Sequence, residues 1–290
     1  MLPPDLSAHP HLSILQFSVL FLSAFLAGAI NTVAGGGTLI TFPILLFVGY
    51  NPIFANATST VALIPASISG AWGYRHELKE SKHALACLLP ISLIGGALGA
   101  FLLVHTRPDT FKAIVPYLIL GATCLFMVQE PISRWSKKCL ERNRLTNNLS
   151  MPTESESASD AEMPVLDRGS SSPLTWIGVM GFQMLVAVYG GYFGAGAGIL
   201  MLAAYGFLGF TNIHRMNGLK NLSGIAINGI AAITFIFKGL VDWRTAAIMA
   251  LGALTGGISG VKVARSMGQK NVRLLVIAVG FALTLTLLIR

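Results

Sequence analysis

A single lysine inside an apolar helix is the sharpest chemical feature of this chain. Lys220 stands seven residues into a run that extends from Ile213 to Phe237. An ammonium at the centre of a bilayer costs about 2.5–3.5 kcal/mol on insertion scales, so such a residue normally faces protein or water and marks an ion or substrate path. Its other course is to snorkel back to the interface on its long stem. Near it in type are uncharged hydrogen-bonding groups on apolar segments: Asn31, Thr32, Thr58, Ser59, Asn217 and Asn221. As a set they could ring a small oxyanion; singly, each could equally bond one membrane helix to another. Two glycine tracts complete the constellation, Gly35, Gly36 and Gly37 in one and Gly194, Gly196 and Gly198 in the other. Such clusters break a helix, and a half-helix starting after the break points free N–H groups and partial positive charge at an anion. The glycines at 95, 96, 99, 252, 256, 257 and 260 read instead as surfaces for close helix packing.

What is missing sharpens this reading. Glu77, Glu80, Asp109, Glu130 and Asp242 all fall in connections rather than in apolar runs. That argues against a proton relay through the membrane or a divalent-cation channel, and it suits an anion path. Cys87, Cys124 and Cys139 show no ligand spacing, so neither disulfide, metal nor cofactor is assigned. Ser69 with His76 or His214 could suggest an intramembrane serine protease, but no spacing fixes a Ser–His pair.

These residues need elements to hold them, and composition says which kind. Of 290 residues, 53% are hydrophobic and only 11% charged, against about 25% charged in a soluble domain. With a mean hydropathy of +0.68, apolar runs of membrane-helix length recur. The fold class is an all-α polytopic membrane protein in two inverted-topology repeats with broken helices. Spans are expected at 12–33, 53–74, 84–104, 111–128, 174–193, 213–237, 245–261 and 274–289, with short pieces at 39–48 and 199–210 after the breaks. The stretch 75–83 reads as a charged loop. The N-terminus lacks the basic region of a signal peptide, so the first helix is read as retained.

Residues 1–130 form the first repeat, 131–173 a basic then acidic, Ser-rich flexible linker, and 174–290 the second repeat. The halves align with Gly35 on Gly194 and Gly37 on Gly196. Two extra residues then bring Ser59 opposite Lys220, and Gly95, Gly96 and Gly99 opposite Gly256, Gly257 and Gly260. If all five segments of a half cross, one face receives fourteen basic residues, among them Arg75, Lys79, Arg134, Lys137, Arg215 and Arg273. The other receives five, Arg107, Lys112, Lys238, Arg244 and Arg290. The positive-inside rule then puts the linker in the cytoplasm and both termini outside. The net charge of +8 needs no nucleic-acid partner on this account.

The stretches Gly28–Gly37, Phe42-Pro43 and Ala55–Ser59 resemble the first half of the TauE/SafE sulfite-exporter family. Tyr189–Gly198, Asn217–Asn221 and Gly239–Trp243 resemble its second half. The likeness covers nearly all of the chain outside the linker and the extreme N-terminus; the long linker departs from compact members. It implies a plasma-membrane permease with duplicated halves that moves sulfite, organosulfonates or related sulfur-containing or carboxylate anions. It also implies that the two broken elements and Lys220 bear the site. The expected partners are a small anionic substrate and the lipid bilayer. An uptake permease is the alternative to an exporter, and a homo-oligomer is left open.

Overall fold

The computed structural model describes residues 12–124, 127, 173–208, 210 and 212–264. Every regular element among them is helical. The linker up to residue 172, the expected span 274–289 and both termini lie outside the described residues.

Helix α1 (Ile14–Val33) starts at a capping box in which Ser13 and Gln16 satisfy each other's backbone N–H. It ends at Gly35, whose φ of 79° only glycine adopts without strain and whose N–H closes on the Ile30 carbonyl. Helix α2 (Thr38–Val48) follows, then α3 (Pro52–Gly73), capped by Asn51. Where a charged loop was expected, the chain forms a short helix, α4 (Arg75–Leu78), and a 3-10 turn before α5 (Lys82–His105). The apolar Leu78 within that charged run supplies the reason, because it packs toward Gly218 on a neighbouring helix. Helix α6 occupies 108–124.

The second half repeats this order. Helix α7 (Pro173–Tyr192) ends at Gly194, with a φ of 80° and an N–H that closes on the Tyr189 carbonyl. After it come α8 (Ala197–Phe207), α9 (Ile213–Phe237) and α10 (Trp243–Ala264). Among the described residues five helices are long and apolar enough to cross a membrane. Helices α2 and α8, at 11 residues each, rise about 16 Å and cannot cross the roughly 30 Å hydrocarbon layer alone.

Packing follows the same duplication. Helix α1 packs on α10 as α7 packs on α5, and α3 packs on α10 as α9 packs on α5. Glycines make these contacts close. Gly252, Gly256 and Gly260 on α10 meet the α1 backbone at Phe21, Phe25 and Ala29, so those helices run parallel. Gly95 and Gly99 on α5 meet α7 at Met184 and Val188, again in parallel. The central pair α3 and α9 runs antiparallel. Thr58 on α3 lies at the far end of α9, beside Asp242, whereas Tyr74 stacks on His214 at its start. Large apolar side chains such as Ile14, Leu22, Phe101 and Leu185 are exposed, and Thr32, Ser59, Asn217 and Lys220 are buried. A bundle with apolar residues outside and polar ones within is built for lipid, where every backbone and side-chain polar group must find its partner inside the protein.

Candidate functional site

Breaking α1 at Gly35 leaves its last carbonyls without helical partners. The ammonium of Lys220 donates to the Asn31 carbonyl at 2.8 Å and the Thr32 carbonyl at 3.0 Å. Asn221 Nδ2 donates to the same Thr32 carbonyl at 3.2 Å. A cation at the negative end of a helix dipole is the favourable arrangement. Lys220 is 3% exposed, so it has not snorkelled to the interface. An ammonium has three N–H donors; two are engaged here, and no further partner for the third lies among the described residues.

The second break meets the first at this lysine. A Cβ placed on Gly35 would lie 2.6 Å from Gly198 Cα and 3.3 Å from Lys220 Cδ. A Cβ on Gly198 would lie 2.6 Å from Gly35 Cα and 3.1 Å from the same Cδ. The two glycine tracts therefore touch backbone to backbone, with the lysine stem across both.

A cavity of about 40 Å³ opens at this junction, room for about three water molecules at roughly 10–15 Å³ each. Its lining pairs up across the two halves: Asn31 with Gly190, Gly35 with Gly194, Thr38 with Ala197, and Ser67 with Asn228. The cavity thus straddles the relation between the halves, while Lys220, Asn221, Gly198, Met201, Gly224 and Ile227 line it from the second half alone. Thr38, Ala197 and Gly198 belong to the first turns of α2 and α8, and neither helix has a side-chain N-cap. Two helix starts and an ammonium around one small space make an anion-binding environment. Asn31 Nδ2 donates to Ser67 Oγ at 3.2 Å, which fixes the amide beside the opening.

Of the residues singled out in the sequence, the structure brings Lys220, Asn221, Asn31, Gly35, Gly194 and Gly198 to the cavity. Thr32 stands behind it: its carbonyl holds Lys220, and its hydroxyl donates to the Gly28 and Ala66 carbonyls at 2.9 and 3.2 Å. Gly36 and Gly37 form the turn into α2, and a Cβ on Gly37 would meet the Ala27 carbonyl oxygen at 2.7 Å. Gly196 caps α8 with a φ of 77° and faces Ala122. Ser59 is bonded to Thr41 at 2.6 Å, and Thr58 accepts from the Asp242 N–H at 3.2 Å, so both are committed elsewhere. Asn217 is buried at 3% exposure, with its Oδ1 unpartnered among the described residues, and it does not line the cavity. Ser69 turns its hydroxyl to the Ala66 carbonyl of its own helix.

Ser67, Asn228 and Thr38 are cavity residues that the sequence reading did not single out. Ser67 and Asn228 are equivalent positions in the duplicated halves, and that equivalence was the signal that could have found them. A second polar cluster was also missed. The carboxylate of Asp242, 8% exposed, accepts from the Tyr50 hydroxyl and, at 3.2 Å, from the Thr245 hydroxyl. Burial, and next the bond to Asp242, push the Tyr50 phenol above its ordinary pKa.

All of the described bundle from residue 20 onward lies within one stretch of family likeness. The family model for the sulfite exporter TauE/SafE matches residues 20–287. The chain belongs to the TauE/SafE family. Among its relatives, the probable membrane transporter protein YfcA of Escherichia coli (strain K12) is 27% identical over 276 residues, covering 95% of this chain and 91% of the relative. The probable membrane transporter protein ORF9 of a Sinorhizobium species is 26% identical, covering 93% and 91%. A probable membrane transporter protein of Haemophilus influenzae is 25% identical, covering 92% of each. No solved structure matches the chain. This TauE/SafE protein is a multi-pass membrane transporter, and the site just described is the place in it where charge, helix ends and free space coincide.

Proposed function

We propose that this TauE/SafE protein exports a small oxyanion of the sulfite or sulfonate type across the plasma membrane. The observation that carries the reading is the cavity at the meeting of the two helix breaks, with Lys220 on its wall and the starts of α2 and α8 lining it. The third N–H of Lys220, the amides of Asn31 and Asn221 and the N–H groups of Thr38 and Gly198 at the starts of α2 and α8 bind the anion. About three waters' worth of space suits a group of sulfite size, so long organic tails bind outside it or not at all. The repeats are inverted, which the antiparallel run of α3 against α9 supports, and rocking of one repeat against the other alternates access to the site. The linker lies in the cytoplasm. An inside-negative potential drives an anion outward with about 2.3 kcal/mol per charge for each 100 mV, so export needs no catalytic chemistry from the chain.

Proteoliposomes loaded with radiolabelled sulfite test the reading. The wild-type protein releases the label, faster when the loaded side is made negative. Lys220→Met, which keeps the stem and removes the charge, lowers the rate at least tenfold. Equal rates in the two proteins would overturn it.

A further inference from the structure

Asp242 is the acidic residue among the buried polar groups of the described bundle, and it has no part in the cavity. Its plain role is to cap α10: Oδ1 accepts from the N–H groups of Arg244 at 3.0 Å and Thr245 at 3.4 Å. A cap uses one oxygen. The other, Oδ2, is turned to the hydroxyls of Tyr50 and Thr245, and these two hydroxyls lie 2.7 Å from each other. Tyr50 belongs to the connection between α2 and α3 and Asp242 to the connection between α9 and α10, 192 positions apart. The Asp242 N–H donates in turn to Thr58 on α3. One carboxylate thus ties the two halves together at one end of the bundle. From Thr58 to the cavity residue Ser67 is nine positions of α3, about 13 Å.

We propose that Asp242 is a proton-binding site that latches this end of the transporter: ionised, it holds the α2–α3 and α9–α10 connections together; protonated, it frees them and opens the cavity toward that end. An ionised carboxylate is an acceptor only, and it takes all four donors here in charge-assisted bonds. A carboxylic acid must place a proton of its own among the same donors and accepts more weakly, so the tie between the halves loosens. Tyr50 on the α2–α3 connection and Thr58 on α3 face it, and its charged neighbours along the chain are Lys238 after α9 and Arg244 in the first turn of α10. Lys238 and Arg244 are exposed, and Tyr50 keeps its proton throughout the working range because its pKa is raised. At the start of α9 the corresponding tie is made by Arg215, which donates to Ser81 and lies over the Phe210 ring at 5.2 Å. An arginine does not titrate, so this tie does not itself respond to pH.

The proposal takes the cavity as the transport site, but its test needs no substrate and so fails separately from the anion reading. In a protein with Cys87, Cys124 and Cys139 replaced by serine, Ser67→Cys places one thiol on the cavity wall. An impermeant methanethiosulfonate reagent applied from the Asp242 side labels it at a rate that reports opening of that end. The thiolate fraction also falls with pH, so each rate is divided by that of the same protein carrying Asp242→Asn at the same pH. Asparagine caps a helix as well as aspartate does but cannot ionise, so this variant stays folded and unlatched. At about pH 7.5 the parent labels about tenfold more slowly than Asp242→Asn, the factor expected for at least one hydrogen bond to a charged group. The ratio climbs towards one as the external pH falls from about 5 to about 3, the range in which carboxylates take up a proton. Tyr50→Phe removes a donor to the ionised form, which raises the carboxyl pKa, so its ratio reaches one at a higher pH than the parent's. A ratio that does not change with pH, or an Asp242→Asn protein that labels no faster than its parent at about pH 7.5, overturns the proposal.

Discussion

At the scale of the residue, one ammonium does two things at once. Lys220 closes the broken end of α1 through two carbonyls and lines the cavity. Asn221 shares the first duty through the Thr32 carbonyl. Asn221→Leu therefore leaves that carbonyl to Lys220 alone and should lower stability by about 1 kcal/mol, read as a shift in the thermal midpoint of the detergent-solubilised protein. That Lys220 faces protein rather than lipid was legible in the sequence, because a charge inside an apolar run is costly and conspicuous. Its partners were not legible: they are main-chain carbonyls, and any residue could supply them. Asp242 was passed over for the opposite reason. A carboxylate in a short connection reads as solvated, and only the return of Tyr50 from the other half of the chain shows that it is buried.

At the scale of the element, the two breaks were readable and their meeting was not. Three glycines in sequence, or three in alternation, mark where a helix must stop, and the stops fall at Gly35 and Gly194 with near-identical φ values of 79° and 80°. That Gly35 faces Gly198 rather than its own counterpart is a property of packing, which no local pattern encodes. This distinction can be measured. Gly196→Ala meets only ordinary contacts near Ala122 and bears the strain of its φ alone, about 1–2 kcal/mol. Gly35→Ala bears the same strain and also drives a methyl into the Gly198 backbone, so it should destabilise more and widen the junction at which Lys220 sits. Urea or thermal unfolding of the two variants in one detergent compares them directly; equal losses would show that the breaks do not touch. The charged stretch at 75–83 was read as loop because charge density hid the apolar Leu78 that turns part of it into helix.

At the scale of the whole molecule, the duplication is what makes the architecture legible from sequence, since matching glycines align the halves before any contact is known. The packing repeats accordingly, α1 on α10 as α7 on α5, and the cavity lies between equivalent positions. The proposed orientation makes a further prediction. With the positive-inside face cytoplasmic, a cysteine replacing the exposed Lys238 is labelled by an impermeant maleimide in intact cells, and one replacing Lys79 only after the membrane is opened. The reverse pattern would invert the topology. The central claim concerns the lysine itself, and 15N NMR of the lysine-labelled protein in lipid addresses it most directly. The Lys220 Nζ resonance, assigned by its loss in Lys220→Met, should shift on titration with sulfite and saturate over the concentrations that saturate transport, because the anion takes the ammonium's third N–H. A resonance that stays fixed while transport saturates would contradict the account.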